Sequence, residues 1–532
     1  MVASERRPGR PERNLVSLLA RASADPQLHD RTAVSSQEET RSFGELLSRS
    51  RRLAAGLLEH GLHPGDRVAI LLPNRIEWVD LLFGLGSMGA VCVPVNILLR
   101  ASEVSHVCAD SGSRWLVGDA DSLAKLKELP PCVEQVVLVG EGSAEGALRY
   151  EELLGAEEFR GRGPEPEDLA IVYYSSGTTG KPKGAAITHS GVLWNALSQV
   201  IDMRLRPEDS YLVVPSLSWA AGFNNVFLPL LWLGGRVILL PSHETKVDRI
   251  VANFESTGAT HAMLVPTLIK QLLDRPDLLE RLGASDLRWA MTGAEPIPRS
   301  VVERFVSALP GVELVQAYGM SEFPTIATIL KPEQTAEHAE TAGKPLHHTE
   351  IAIRTDEGEI HSQGEGEVLL RSLAVMEGYL DDPEETERVF ADGWFASGDR
   401  GRIDEEGFLT ITGRVKDMII SGGLNVYPPE IEDVLYQLEG VTEACVVGVP
   451  DERWGEVPAA LIVSEVEEWD VEAVSAHCRS SLASYKCPKH FLFRSEKLPR
   501  NLSGKVLKRE VGPWVAERLQ QGAGREGAGS AD

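Results

Sequence analysis

Eleven residues, Tyr174-Ser-Ser-Gly-Thr-Thr-Gly-Lys-Pro-Lys-Gly184, hold three glycines, four serine or threonine hydroxyls and two lysines. That composition suits a polyphosphate. Glycines let backbone amides approach an anion and point inward, hydroxyls add short donors, and lysines add charge. The string is not a Walker A loop, which ends in Gly-Lys-Ser or Gly-Lys-Thr and opens a helix. Here Pro182 stands where that motif's second glycine would follow Gly177, and Lys181 precedes the same proline. The flanks Leu169 to Tyr174 and Ala185 to Thr188 both read as strands, so the loop joins strand to strand. A solvated turn of glycine and hydroxyl residues would have no need of two lysines.

Further strings with polar groups at fixed intervals follow in order: Tyr318-Gly-Met-Ser-Glu322, Gly393-Trp-Phe-Ala-Ser-Gly-Asp399, Ser421-Gly-Gly-Leu-Asn-Val-Tyr427 and Leu498-Pro-Arg-Asn-Leu-Ser-Gly-Lys505. With the glycine loop, the series resembles the adenylate-forming superfamily, which includes acyl-CoA synthetases, adenylation domains of peptide synthetases and firefly luciferase. The likeness runs over roughly residues 40–510.

The resemblance implies a division of labour. Ser175, Ser176, Gly177, Thr178, Thr179, Gly180, Lys181 and Lys183 would hold the ATP phosphates, with Thr179 also serving catalysis. Tyr318 would stack on adenine, with Gly319 and Ser321 beside the nucleotide, and Glu322 would be catalytic as the protein ligand of Mg²⁺. Magnesium keeps several waters and phosphate oxygens and takes one or two carboxylates, which suits that role. The backbone of Gly293, Ala294 and Glu295 would line the adenine and acyl sites. Asp399 would accept both ribose hydroxyls, as a carboxylate can, with Arg414 assisting. Lys505 would bridge the substrate carboxylate and the α-phosphate, offsetting charge in the transition state. Lys416 matches the hinge position about which the small domain turns, and Ser421, Gly422 and Gly423 would admit the pantetheine arm of CoA.

One departure stands out. Many relatives place a histidine three residues before a glycine where this chain has Trp219-Ala-Ala-Gly222. An indole cannot replace an imidazole in proton chemistry. Trp219 and Phe223 are expected to shape an apolar acyl pocket together with Gly293 and Gly319.

The activity implied is ATP-dependent activation of an apolar fatty, cyclic or aromatic acid through an acyl-adenylate, then transfer to the CoA thiol. ATP, Mg²⁺ and CoA are the expected cofactor and co-substrates. The alternatives are transfer to an amine or a carrier-protein thiol, and, from another class, an inactive nucleotide-binding protein. Retention of Lys505, Glu322 and Asp399 together argues against the last.

Composition narrows the partners. The chain has 532 residues, 43% hydrophobic and 25% charged, with a formal net charge of -26. That charge disfavours nucleic acid and anionic membranes, and it obliges any ATP site to build a local positive pocket. The six cysteines (92, 108, 132, 445, 478, 487) include no Cys-x-x-Cys, so neither zinc nor a disulfide framework is indicated. A cytoplasmic enzyme without integral membrane association is expected.

The elements that must position these groups are legible as an α/β pattern. Ser42 to Glu45 is a capping box ahead of Leu46, Leu47, Leu53, Leu57 and Leu58 on one helical face. Asp66 to Leu72 and Ala90 to Val95 read as buried strands around a helix at Ile76 to Met88, and helices are expected over 247–257 and 299–308. Alternation of this kind predicts a parallel sheet covered by helices. The expected fold class is α/β. A large N-terminal domain (14–414) of parallel or mixed sheets with helices carries a small β subdomain at about 343–413. A hinge at 415–417 leads to a smaller, mobile α+β domain at 418–515. Residues 1–13 are read as a flexible arm, 516–532 as a disordered tail, and Pro428-Pro429-Glu430 as a helix start with Pro429 able to take the first position.

Replacing Lys505 with Ala is expected to slow acyl-AMP formation by about 10²–10³ or more, the usual cost of losing an electrostatic contact to the transition state. Single-turnover pyrophosphate release checks this. A wild-type rate would remove Lys505 from the reaction.

Overall fold

This computed structural model describes residues 13–37, 39–175, 182–295, 297–422, 424–451, 453–464, 466, 469–500, 506–522 and 525–526. Two large sheets share one core. The first runs, edge to edge, through Lys344–Pro345, Phe323–Leu330, Glu313–Met320, Trp289–Gly293, His261–Met263, Ser210–Val213, Arg236–Leu239, Thr32–Ser35 and Thr40–Ser42. Its interior pairs are parallel, and the two edges are closed by antiparallel strands. The second runs Gly378–Tyr379, Lys183–Thr188, Leu169–Ser175, Val91–Pro94, Arg67–Leu71, Trp115–Gly118, Gln135–Leu138 and Leu148–Arg149.

Strand alternation divides the apolar residues between faces. Val68 and Ile70 enter the shared core, while Ala69 and Leu71 enter a separate cluster on the sheet's other face. The helix Ile76–Met88 buries every residue except Glu77, as a helix enclosed on all sides must. The helix Phe43–Glu59 is set by the expected capping box: Ser42 N donates to Glu45 Oε2 at 2.8 Å, and Glu45 N donates to Ser42 Oγ at 3.2 Å. Val247–Thr257 and Arg299–Ala308 are helices over the expected spans, covering the outer face of the first sheet.

A third, antiparallel sheet holds Thr349–Arg354, Ile360–His361, Gly364–Ser372, Phe390–Ala391, Trp394–Ile403 and Leu409–Arg414. It starts later than the expected 343, because Lys344–Pro345 hydrogen-bonds to the Phe323–Leu330 strand of the first large sheet. Gly378–Tyr379 leaves this region to pair with Ala185 and Ala186. The segment is thereby fastened directly beside the glycine-rich loop.

After Val415–Asp417 a fourth sheet forms from Ile419–Ser421, Leu424–Val426, Val441–Asp451, Gly455–Ser464, His490–Arg494 and Arg525–Glu526. Two expectations are corrected here. The helix begins at Pro428, which takes the first position, with Pro429 second; both prolines are tolerated in a first turn because its N–H groups have no helical partner. The expected tail at 516–532 is partly ordered: a helix spans Lys508–Gln520, and Arg525–Glu526 pairs with His490 and Phe491. Val511 and Val515 are buried against Cys445, Val447 and Leu461, and Leu519 packs beside them. Their four-residue spacing was the available signal. Of the expected arm only Arg13 lies among the described residues. No described helix is long and apolar enough to cross a membrane.

Truncation after residue 515 is expected to cost the small sheet about 1–2 kcal/mol through the lost burial of Leu519 alone, read as a lower unfolding midpoint in urea. An unchanged midpoint would return 516–532 to the status of a dispensable tail.

Candidate active site

The site forms where the three sheets of the large domain meet. The strands Glu313–Met320 and Phe323–Leu330 are joined by the two-residue turn Ser321-Glu322, with Met320 opposite Phe323. Glu322 therefore stands at a hairpin tip. Gly319 is required there: a Cβ would lie 1.6 Å from Thr325 O, and at Gly293 one would lie 2.3 Å from Ala317 O. Only glycine permits both close backbone approaches.

Asp399 gathers the surrounding groups. Tyr318 Oη donates to its Oδ2 at 2.8 Å, Arg414 Nε lies 3.1 Å from its Oδ1, and its own amide donates to Ser397 Oγ at 3.1 Å. Desolvation and then the Asp399 carboxylate raise the Tyr318 phenol well above its ordinary pKa, so it remains a donor. Among the described residues, Tyr318 meets one Asp399 oxygen and Arg414 the other. A carboxylate has about four acceptor sites, so an acceptor remains on each oxygen for a vicinal diol. Tyr318 offers its ring while its hydroxyl is fixed.

Glu322 receives a hydrogen bond from Tyr379 Oη at 3.2 Å. Among the described residues no group of three or more His, Cys, Asp or Glu side chains could enclose a metal. A single carboxylate of this kind still suits Mg²⁺, which draws most of its ligands from water and phosphate.

The glycine-rich loop joins two antiparallel strands, as expected. Its flanks are tied down on both sides: Tyr174 Oη donates to Asp110 Oδ2 at 2.7 Å, and His106 Nε2 lies 3.2 Å from Pro182 O. Ser175 ends the first strand. The expected phosphate and catalytic residues Ser176, Gly177, Thr178, Thr179, Gly180, Lys181 and Lys505, and the CoA-arm residue Gly423, lie outside the described residues.

Three expected site residues have protein partners that their place in the sequence does not announce. Lys183 Nζ sits 2.9 Å from Glu385 Oε1, with Asp382 at 3.9 Å. Hydrogen bonds from Arg388 and from Lys183 hold the Glu385 carboxyl down at about 2. Lys183 thus anchors the loop's exit to the helix Pro383–Val389. Glu295 accepts from Thr267 Oγ1 at 3.1 Å and faces Arg500 Nη1 at 3.2 Å, so its carboxylate belongs to the boundary between the large and small domains. Phe223 is fully buried, packed edge-on against Trp78 at 5.2 Å and Phe227 at 5.3 Å. It is a core aromatic supporting the short helix Ala220–Asn224 and lines no open pocket.

Trp219, just before that helix, remains partly exposed, with Gly222 N bonded to its carbonyl at 2.8 Å. Ala294 follows the strand end at Gly293 with φ +71. Lys416 lies in the short helical turn Val415–Asp417, between the last strand of the third sheet and the first of the fourth. Ser421 is buried, and the Gly422 backbone is pressed against Trp454, where a Cβ would meet the indole at 2.5 Å. Sequence reasoning missed Tyr379, Ser397 and Arg500. Tyr379 carries no spacing signal of its own, whereas Ser397 stands inside the string from Gly393 to Asp399 and Arg500 inside that from Leu498 to Lys505.

Two α/β sheets meeting an antiparallel one over a nucleotide-sized polar cluster, with a small mixed domain following, is the architecture of adenylate-forming enzymes. The chain belongs to the AMP-binding enzyme family: residues 21–380 match that family, and 430–505 match the AMP-binding enzyme C-terminal domain. It is 35% identical over 504 residues to a long-chain-fatty-acid–CoA ligase, FadD13, of Mycobacterium tuberculosis, covering 92% of this chain and 96% of that one. It is 36% identical over 489 residues to a feruloyl-CoA synthase of an Amycolatopsis species, covering 90% and 95%. The solved structure of the amide bond synthetase McbA from Marinactinospora thermotolerans superposes with a TM-score of 0.83 at 29% identity, covering 94% and 99%.

Replacing Asp399 with Asn is expected to raise the KM for ATP by about tenfold to a hundredfold, the range for losing a charged hydrogen-bond acceptor. Initial rates at saturating acid check it. An unchanged KM would separate Asp399 from the nucleotide.

Proposed function

We propose that the protein activates a carboxylic acid with ATP and passes the acyl group to the thiol of CoA. The observation that carries this reading is the meeting, at the end of the strand Glu313–Met320, of the Asp399 carboxylate with spare acceptors, the immobilised Tyr318 ring and the Glu322 hairpin tip. A diol, a purine and a phosphate-bound cation belong to one molecule, and the neighbouring loop supplies the glycines and hydroxyls its phosphates need. The named relatives, ligases of fatty and feruloyl groups, support CoA as the acceptor.

In the first step the substrate carboxylate attacks the α-phosphorus, and the bond to pyrophosphate breaks. Asp399 and Arg414 hold the ribose, Tyr318 the base, and Lys505 offsets charge on the attacking carboxylate and the α-phosphate. Magnesium, with Glu322 as its protein ligand, supplies charge neutralisation on the phosphates. In the second step the CoA sulfur attacks the acyl carbonyl, its proton is lost, and AMP leaves with the oxygen of the broken acyl–phosphate bond. Lys416 and the turn around it lie between the domains, where a few dihedrals can turn the small domain and bring Ser421 to Gly423 to the site.

Trp219 favours a flat or apolar acid, since a partly exposed indole at a helix start can form one face of a slot. A second reading, amide formation, is favoured by the likeness to McbA. Pyrophosphate release across aliphatic and aromatic acids, followed by product analysis with CoA and with amines, separates the two. The thioester is expected as the major product, and amide formation at equal or greater rate would give the second reading. Trp219→Ala is expected to shift discrimination toward bulkier acids by about 1–3 kcal/mol, measured as ratios of kcat/KM. An unchanged profile in a folded variant would place the indole outside the acyl pocket.

A further inference from the structure

The small domain presents one helix, Pro428–Leu435, to the large domain, with a tyrosine at each end. Each ring lies beneath a cation of the large domain. Arg400 Cζ is 5.5 Å from the centre of the Tyr427 ring, and Lys270 Nζ is 4.2 Å from that of Tyr436. Beside this helix Arg500 spans the boundary. Its Nη1 is 3.2 Å from Glu295 Oε2 on the large domain, and its Nη2 is 3.2 Å from Glu443 Oε1 on its own domain. The three side chains are 24%, 21% and 15% exposed, so water screens the cluster only in part.

The two carboxylates are not equivalent. Glu443 also accepts from Leu498 N at 2.8 Å and travels with Arg500 whichever way the small domain faces. Glu295 is fixed to Thr267 of the large domain and meets Arg500 across the boundary. Arg500 is in turn coupled to the chain on the far side of residues 501–505: its backbone pairs antiparallel with Val506, and Leu507 N donates to Pro499 O at 2.8 Å. The segments entering and leaving residues 501–505 are therefore held to the large domain through one guanidinium.

We propose that Glu295 and Arg500 form an ionic clasp that selects the domain orientation in which the acyl-adenylate is made, so that both are positioning residues for the first half-reaction. The inference rests on the two-step reading of the reaction. Releasing the clasp leaves Arg500 paired with Glu443, so no guanidinium is stranded when the domain turns. That asymmetry allows the clasp to favour one orientation without trapping it.

The test uses the full-length enzyme and separates the half-reactions: acyl-AMP formation from acid and MgATP, and consumption of preformed acyl-AMP by CoA. Glu295→Gln is expected to lower the maximal rate of the first by about tenfold, a typical coupling between two states, with the KM for ATP nearly unchanged and the second half-reaction equal or faster. Arg500→Lys should retain more of the first half-reaction than Arg500→Gln, and Glu295→Gln combined with Arg500→Gln should be no worse than Arg500→Gln alone. Raised salt should slow adenylation in the wild type and have less effect in Glu295→Gln. A raised KM for ATP at unchanged maximal rate would overturn the clasp and make Glu295 a nucleotide contact. Equal losses in both half-reactions, or additive losses in the double variant, would also overturn it. Failure of the wild type to form acyl-AMP would instead bring down the two-step reading, and the clasp with it.

Discussion

A single ionised carboxylate joins the parts of this protein that must act together. Asp399 lies on the antiparallel sheet, Tyr318 comes from a strand of the first large sheet, and Arg414 is the last strand residue before the chain crosses to the small domain. A nearly buried charge is tolerated only when partnered; Tyr318 ties the first large sheet to the antiparallel one, and Arg414 is the cross-strand neighbour of Asp399 within the latter. They also orient the groups that face a nucleotide. Positioning and folding stability are here supplied by the same hydrogen bonds, and the hairpin that carries Glu322 passes Gly319 too close to Thr325 O for any side chain.

A strongly acidic chain meets an anionic substrate by spending its cations sparingly. Lys183, though inside the glycine-rich string, neutralises Glu385 and braces the loop. Arg400 pairs with Asp356, Arg414 with Asp399, and Arg500 with Glu295 and Glu443. Among the described residues, these cations around the site act through carboxylates that position backbone. The loop's amides, which carry no net charge, offer a way to hold phosphate that the global field opposes less.

Local patterning made much of the fold legible. Helices at Ile76–Met88, Val247–Thr257 and Arg299–Ala308 have an apolar face or full burial that periodicity displays, and the Ser42/Glu45 box announces its own helix. Partner choice was not legible. That Lys183 pairs with Glu385 and the Glu295 carboxylate with Arg500 depends on segments more than 200 residues apart in both cases. Phe223 failed as a pocket residue for the same reason: its neighbour Trp78 comes from a distant helix. The C-terminal helix was overlooked because its Gly/Ala-rich surroundings masked Val511, Val515 and Leu519 at helical spacing.

The central claim is that adenylation precedes, and does not need, the acyl acceptor. Isotope exchange between labelled pyrophosphate and ATP, measured with the acid present and CoA absent, tests it most directly. The account predicts exchange that depends on the acid and saturates with it. Exchange that appears only when CoA is added, or that proceeds equally without any acid, would contradict it.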